Sequence, residues 1–465
     1  MLPKQFVAAL TVAAVCPYVH AEPASSSDIA ALRAEIESLR NDYETRIANL
    51  EARLTAAEHA ATAPQIQTVP VENTAPTLAA TAESGPSTKF NPAASLILSG
   101  TYGYLQPNPD KYQVDGFFPP PEGDTIARGF NVGESELTLS ANVDPYFYGN
   151  FTASYDPEGG VNVEEAYLRH VGLFPGGTVK FGRFLSAVGY HNEIHAHAWD
   201  FVNAPLVYQA FFDSALDEDG VQARWLAPTP LLVEVGAEAG NGANFPGDQQ
   251  NSNSPNSWLG FLHVGGDVGD SSSYLVGASY RRSRADQREY TDFDSTGTLV
   301  TNAFHGTTEL YGAEFVWKWS PHGNPLVHNL KLQGEYFWRN EHGQLTFDLD
   351  SPLAQAGPYD GEQSGWYFQA IYQFMARWRI GARYDALDSG NVDIGLVDSG
   401  ALAPSEFPLL ADHNPTRFTT MIDFSPSEFS RLRLQWADSH LSSSTDQQLI
   451  MQYIMSLGAH GAHSF

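Results

Sequence analysis

From residue 90 onward the chain alternates apolar and polar positions in segments of about ten residues, the period of a strand with one apolar face. Leu330, Leu332, Gly334, Tyr336 and Trp338 share one face, and Lys331, Gln333, Glu335 and Arg339 the other, with Phe337 out of pattern. Trp366, Phe368, Ala370, Tyr372 and Phe374 oppose Gln369 and Gln373. Trp378, Ile380, Ala382 and Tyr384 oppose Arg377, Arg379, Gly381 and Arg383, and Leu432, Leu434 and Trp436 oppose Arg431, Arg433 and Gln435. About sixteen such segments can be counted. They begin near Ala94, Phe130, Pro145, Val161, Gly177, Gly220, Leu231, Ser257, Ser272, Thr308, His328, Ser364, Arg377, Thr416, Ser430 and Gln447.

The connections between them largely sort by parity, the exception being the third, Asp156–Gly160, which is short but falls on the long side. Leu105–Gly129, Leu185–Asp219, Gly240–Asn256, Ser283–Thr307, Asn340–Gln363 and Leu387–Pro415 are long, whereas Asp144-Pro145, Phe174-Pro175-Gly176 and Met375-Ala376 are short. A soluble sandwich has no reason to sort its loops this way. An outer-membrane barrel does, because its periplasmic turns are short and its external loops long. The expected fold is therefore all-β: a transmembrane antiparallel β-barrel of about sixteen strands over residues 90–465. Such a barrel is too wide for side chains to fill, so a water-filled lumen is expected. Phe465 ends the chain, with Tyr453, Met455 and Leu457 at the same parity upstream.

The first 89 residues read differently. Lys4, the apolar run Phe6–Val15 and Val19-His20-Ala21 form a signal peptide over 1–21. Residues 22–59 carry Ile29, Leu32, Ile36, Leu39, Tyr43, Ile47, Leu50, Leu54 and Ala57 in steps of three and four, a heptad seam with one stutter. A single apolar seam cannot bury itself, so this segment is expected to be a coiled coil that oligomerises the protein; it resembles the periplasmic trimer stalks of some porins, which implies a homotrimer. Residues 60–89 are an Ala/Thr/Pro-rich linker.

Composition narrows the function. The formal net charge of −29 argues against a nucleic-acid partner, since phosphate binding needs excess Lys and Arg. The single cysteine, Cys16, falls in the signal peptide. No apolar run is long enough for a membrane helix. No nucleophile elbow, P-loop or HExxH motif occurs, so no enzyme is expected and no cofactor is required.

The charges themselves suggest a pore. Inward-facing positions of the second half are mostly basic, including Arg377, Arg379, Arg383, Arg431 and Arg433. The third external loop, Leu185–Asp219, carries Glu193, Asp200, Asp213 and Asp217. This arrangement resembles general porins, whose third loop folds into the lumen and sets acidic groups against a basic wall; the resemblance implies a constriction with a transverse field that orients solutes and selects ions. The same loop places His191, Glu193, His195 and His197 at one parity, so an extended chain sets all four on one face, whereas a helix would pair His191 with His195. These are ligand types for Zn²⁺, Cu²⁺ or Ni²⁺, and Zn²⁺ is the candidate ion.

Val163-Glu164-Glu165-Ala166-Tyr167-Leu168-Arg169 followed by Thr178-Val179-Lys180-Phe181-Gly182-Arg183-Phe184 resembles the strand–turn–strand of the phosphate-selective porin O/P-like superfamily. The His-rich stretch with Trp199-Asp200-Phe201, and the Leu457–Phe465 end, resemble a branch of outer-membrane proteins described as zinc-regulated, some of them labelled TonB-dependent receptors. The resemblance implies an outer-membrane porin in contact with lipid, passing small hydrophilic solutes, metal ions or metal chelates. The alternative is a receptor for a metal or metallophore in a TonB-linked uptake system. Two departures bear on this. Phosphate-selective members line their pore with Lys, which is scarce here, and TonB-dependent receptors need about 22 strands and a plug domain.

Overall fold

A computed structural model describes residues 92–106, 113–121, 126–155, 160–248, 252–442 and 445–458. The signal peptide, coiled coil, linker and C-terminal histidines lie outside the described residues. Seventeen strand segments form one sheet in which each pairs with its chain neighbour. The last strand, β17 (Thr445–Gly458), pairs antiparallel with the first, β1 (Ala93–Leu105), and closes the sheet on itself. β2 (Gly129–Val132) and β3 (Ser135–Asn142) both pair with β1 and are two parts of one strand, so the barrel has sixteen staves. Closure is what lets a chain with polar alternate positions sit in lipid: every ladder bond is made to a neighbour and no edge is left.

The remaining staves are β4 (Phe147–Tyr155), β5 (Val161–Val171), β6 (Gly177–Leu185), β7 (Asp217–Leu226), β8 (Leu232–Gly240), β9 (Ser257–Val268), β10 (Ser272–Phe293), β11 (Leu299–Trp319), β12 (Asn329–Phe347), β13 (Gln355–Met375), β14 (Trp378–Ile394), β15 (Thr416–Ser427) and β16 (Ser430–His440). The apolar face points outward as the alternation requires: Leu98, Phe151, Leu262, Phe315, Trp338, Phe368, Ile380, Leu434 and Met451 are all exposed on the outer surface. Their alternates, among them Gln333, Glu335, Arg383, Asp385, Asp423, Arg433 and Gln435, are buried inside.

Two expected long loops are instead tall hairpins. β10 and β11 continue to Phe293 and from Leu299, and β12 and β13 continue to Phe347 and from Gln355. β10 has 22 residues, about 70 Å of strand, whereas a tilted strand crosses the hydrocarbon core in about 9–11 residues. Beyond the lipid the outer face no longer has to be apolar, which is why the alternation fades there. The exposed ion pair of His342 with Asp360, 2.6 Å, sits on that extension. On the inner side of the extended wall Phe304, Leu345 and Tyr359 of its strands form an apolar cluster with Phe118, Phe245 and Leu410 from loops.

Candidate functional site

The connection between β6 and β7, residues 186–216, folds into the barrel. Its short helix, Leu206–Phe212, is buried at every position. Trp199, Ala204, Tyr208, Phe211 and Phe212 pack with Phe337, Tyr367 and Leu387 from the wall. This explains Phe337, the residue out of pattern on β12. It faces inward because an apolar helix meets it there, its ring lying 5.5 Å from Tyr208 and 5.4 Å from Phe212.

The loop's backbone is held by wall charges. Arg433 donates to the Trp199 carbonyl at 3.0 Å, and Arg431 donates to that of His197. Arg383 donates to the carbonyls of Asn203 at 2.9 Å and Ala204 at 3.2 Å. Arg339 donates to that of Ala210 at 3.1 Å and stacks its guanidinium 4.3 Å from the Phe211 ring. The loop's donors meet carboxylates. The amide of Ala187 donates to Glu238 at 2.8 Å, that of His191 to Glu335 at 2.9 Å and that of Leu206 to Asp385 at 3.0 Å. Glu335 also accepts from the hydroxyls of Tyr208 and Tyr367, each at 2.5 Å. Buried backbone groups need partners, and here the barrel wall supplies them. Gly189 makes the close approach feasible: a Cβ there would collide with Glu335 Oε2 and with the Tyr208 oxygen.

The residues expected to form a constriction divide into groups. Asp200 meets Lys331 and, at 3.2 Å, Arg379, which also pairs with Asp423. Asp423 pairs with Arg433 at 2.8 Å, and Arg383 with Asp385 at 2.9 Å. Acidic loop and basic wall therefore do meet, at Asp200. Arg377 is not in the wall: it is exposed, with φ 71°, in the turn between β13 and β14, where the strand period is interrupted. Asp213 caps the helix with φ 53°. Asp217 begins β7, 3.5 Å from Arg183 on the neighbouring stave. Glu193 pairs with Arg224.

The four expected metal ligands separate too. The backbone from His191 to Ala198 is a series of turns, so shared parity does not give a shared face. His191 is buried among Trp199, Tyr208 and Tyr367. Burial, with Arg383 and Lys331 nearby, holds its pKa well below the ordinary histidine value, with Asp200 opposing. His195 and His197, rings 5.9 Å apart, reach instead a group of glutamates on β3 and β5. His195 Nδ1 lies 2.9 Å from Glu164 and 3.5 Å from Glu136, and its Nε2 3.2 Å from Glu165. His197 Nδ1 lies 2.9 Å from Glu136. The sequence reading passed over these glutamates as candidate ligands. Their signal is slight, since Glu164-Glu165 as neighbours on a regular strand would point to opposite faces.

No family model matches the chain. An uncharacterized protein of Aquifex aeolicus (strain VF5) is 34% identical over 356 residues, 73% of this chain and 70% of that one. Among solved structures, OmpT, an outer membrane protein of Vibrio cholerae in its in-vitro folded form, superposes with a TM-score of 0.51 at 13% identity, covering 81% of this chain and all of that one. The outer membrane channel DcaP of Acinetobacter baumannii gives 0.47 at 13% identity, covering 79% of this chain and 97% of that one. An anion-selective porin from Comamonas acidovorans gives 0.47 at 10% identity, with 79% and 99% covered.

Proposed function

From the premise that the chain belongs to one family with the Aquifex aeolicus protein and has the outer-membrane barrel fold, we propose that it is an outer-membrane porin for small hydrophilic solutes, preferring cations. Divalent metal ions or their chelates are the favoured cargo, on the strength of the imidazole and carboxylate groups that the third loop and β3 and β5 bring together. One observation carries the preference. The wall arginines are engaged in clamping the third loop: Arg339, Arg383, Arg431 and Arg433 donate to its carbonyls, and Arg379 is shared by Asp200 and Asp423. Among the described residues, no Lys or Arg pairs with the carboxylates of Glu136 or Glu164. The field an ion meets beside the loop is therefore acidic on that side.

The loop narrows a lumen that sixteen staves would otherwise leave wide. Sixteen staves with the chain's own loop inside favour a passive pore over an energised receptor, which uses about 22 strands around a separate plug domain. The resemblance to phosphate-selective porins is taken as one of barrel and not of cargo. The heptads of residues 29–57 support an oligomer with a coiled-coil stalk, and their resemblance to the periplasmic stalks of some porins favours a homotrimer. The test is reversal potential in planar bilayers under a salt gradient. Cation selectivity supports the reading, and anion selectivity or no conductance overturns it.

A further inference from the structure

We propose that the lumen holds a binding site for a divalent first-row transition metal, formed by Glu136, Glu164 and His195, with Glu165 supporting the imidazole from behind. The proposal deepens the porin reading and rests on it for its consequence for transport, but not for binding itself.

The site is assembled from three places in the chain. Glu136 comes from β3, just after the break at Gly133-Glu134. There the pairing with β1 shifts by one, from Gly100 opposite Val132 to Ile97 opposite Glu136. Glu164 and Glu165 come from a bulge in β5: Thr152 pairs with Glu165 and Ala153 with Val163, leaving Glu164 as an extra residue. A bulge re-aims side chains, and here two neighbouring carboxylates reach the same imidazole, which a regular strand forbids. His195 arrives on the third loop.

The spacing suits a metal. One ligand atom from each of Glu136, Glu164 and His195 lies within 4.8 Å of the others. His195 Nδ1 is 2.9 Å from Glu164 and 3.5 Å from Glu136, near the ~3.4 Å between ligands around tetrahedral Zn²⁺ with bonds of about 2.0–2.2 Å. The far ring nitrogen lies 3.2 Å from Glu165, the carboxylate–histidine arrangement that fixes tautomer and orientation in metal sites. Glu164 Oε1 is buried, and the carboxyl of Glu134 and the hydroxyl of Ser154 lie against the same Glu164 carboxylate. The site is reachable, since the His195 side chain keeps 22% of its surface exposed. The mixed carboxylate–imidazole set selects Zn²⁺-like ions over Mg²⁺ or Ca²⁺, which take oxygen shells.

The test is calorimetric titration of ZnCl₂ into the full-length protein in detergent, carrying His460→Ala and His463→Ala so that terminal histidines do not compete. One saturable site is expected. His195→Gln and Glu164→Gln should each weaken it by at least the roughly 10–100-fold that loss of even a supporting partner costs, and Glu165→Gln by that amount. His305→Ala, an exposed histidine on the tall hairpin, should leave it unchanged. The gel mobility of unheated protein reports whether each variant is folded, and the two primary variants lie on different elements, so one misfolded barrel leaves the other to decide. No saturable site, or affinity equal to the parent's in His195→Gln and Glu164→Gln, overturns the proposal. Bilayer recordings separate the two readings. Zinc should reduce current through the parent and not through His195→Gln, whereas a parent that never conducts refutes the porin while calorimetry still decides the site.

Discussion

Arg383 offers the sharpest test of the loop clamp. Its guanidinium is 1% exposed, donates to the carbonyls of Asn203 and Ala204, and pairs with Asp385, which in turn accepts the amide of Leu206. Arg383→Met keeps the volume and removes the donors. With the loop in place, Asp385 is then left buried without its cation, at a cost of about 3–5 kcal/mol, and the Asn203 carbonyl loses its partner at about 1–3 kcal/mol, while that of Ala204 still accepts from the Gln209 amide at 2.9 Å. Water reaches these groups when the loop swings out, so the cost falls on the closed state alone. The terms overlap, and about 4 kcal/mol in total shifts the opening equilibrium roughly 10³-fold. Ala210→Cys supplies a reporter, because Ala210 is 1% exposed and the barrel has no other cysteine. A membrane-impermeant maleimide should label the introduced thiol slowly in the parent. In Arg383→Met the rate should rise by about two to three orders of magnitude, with larger and noisier conductance steps. Labelling at the parent rate in a folded Arg383→Met barrel would refute the clamp.

Other outcomes follow from the same geometry. Arg379→Ala should change ion selectivity, because Asp200 and Asp423 lose a shared partner, whereas Arg377→Ala, in an exposed turn, should leave conductance and selectivity at parent values. Gly189→Ala should loosen the loop and raise the labelling rate of the same reporter thiol, since its methyl would meet Glu335 and Tyr208. The depressed pKa of His191 sets a pH dependence. Its stabilising contribution is fully present above the unfolded value near 6.5 and declines as pH falls below it, because the unfolded loop takes up the proton first. The labelling rate, divided at each pH by that of a fully exposed thiol to remove the falling thiolate fraction, should therefore rise between about pH 6.5 and 5. His191→Phe should flatten that profile, and an unchanged slope in the variant would show that another group governs it.

Much of the barrel was legible in the sequence because a period of two is written into each stave. Segment starts near Ala94, Val161, Gly177, Ser257, Ser272, Thr416 and Ser430 fall within a residue of the observed strands. The tall hairpins were not legible, since an outer face standing in water, as at His342 and Asp360, carries no apolar signal. The alternation marked Lys331 and Arg379 as inward positions, and loop length marked the segment that carries Asp200; their contact rests on the path of the loop, which charge alone does not dictate. The role of the other arginines was not legible, because their partners are backbone carbonyls such as that of Asn203, far away along the chain. Side-chain identity carries no mark of such a bond. The grouping of Glu164 with Glu165 depended on a bulge, a local break of the very periodicity used to read the strands.

The central claim is that this barrel is a water-filled, acid-biased pore narrowed by its own third loop. Single-channel recording in a KCl gradient, comparing the parent with a variant in which residues 190–212 are replaced by a short Gly/Ser link, tests it most directly. The account predicts small cation-selective steps for the parent and steps several-fold larger for the shortened loop. Equal steps in the two proteins, or an anion-selective parent, would contradict it.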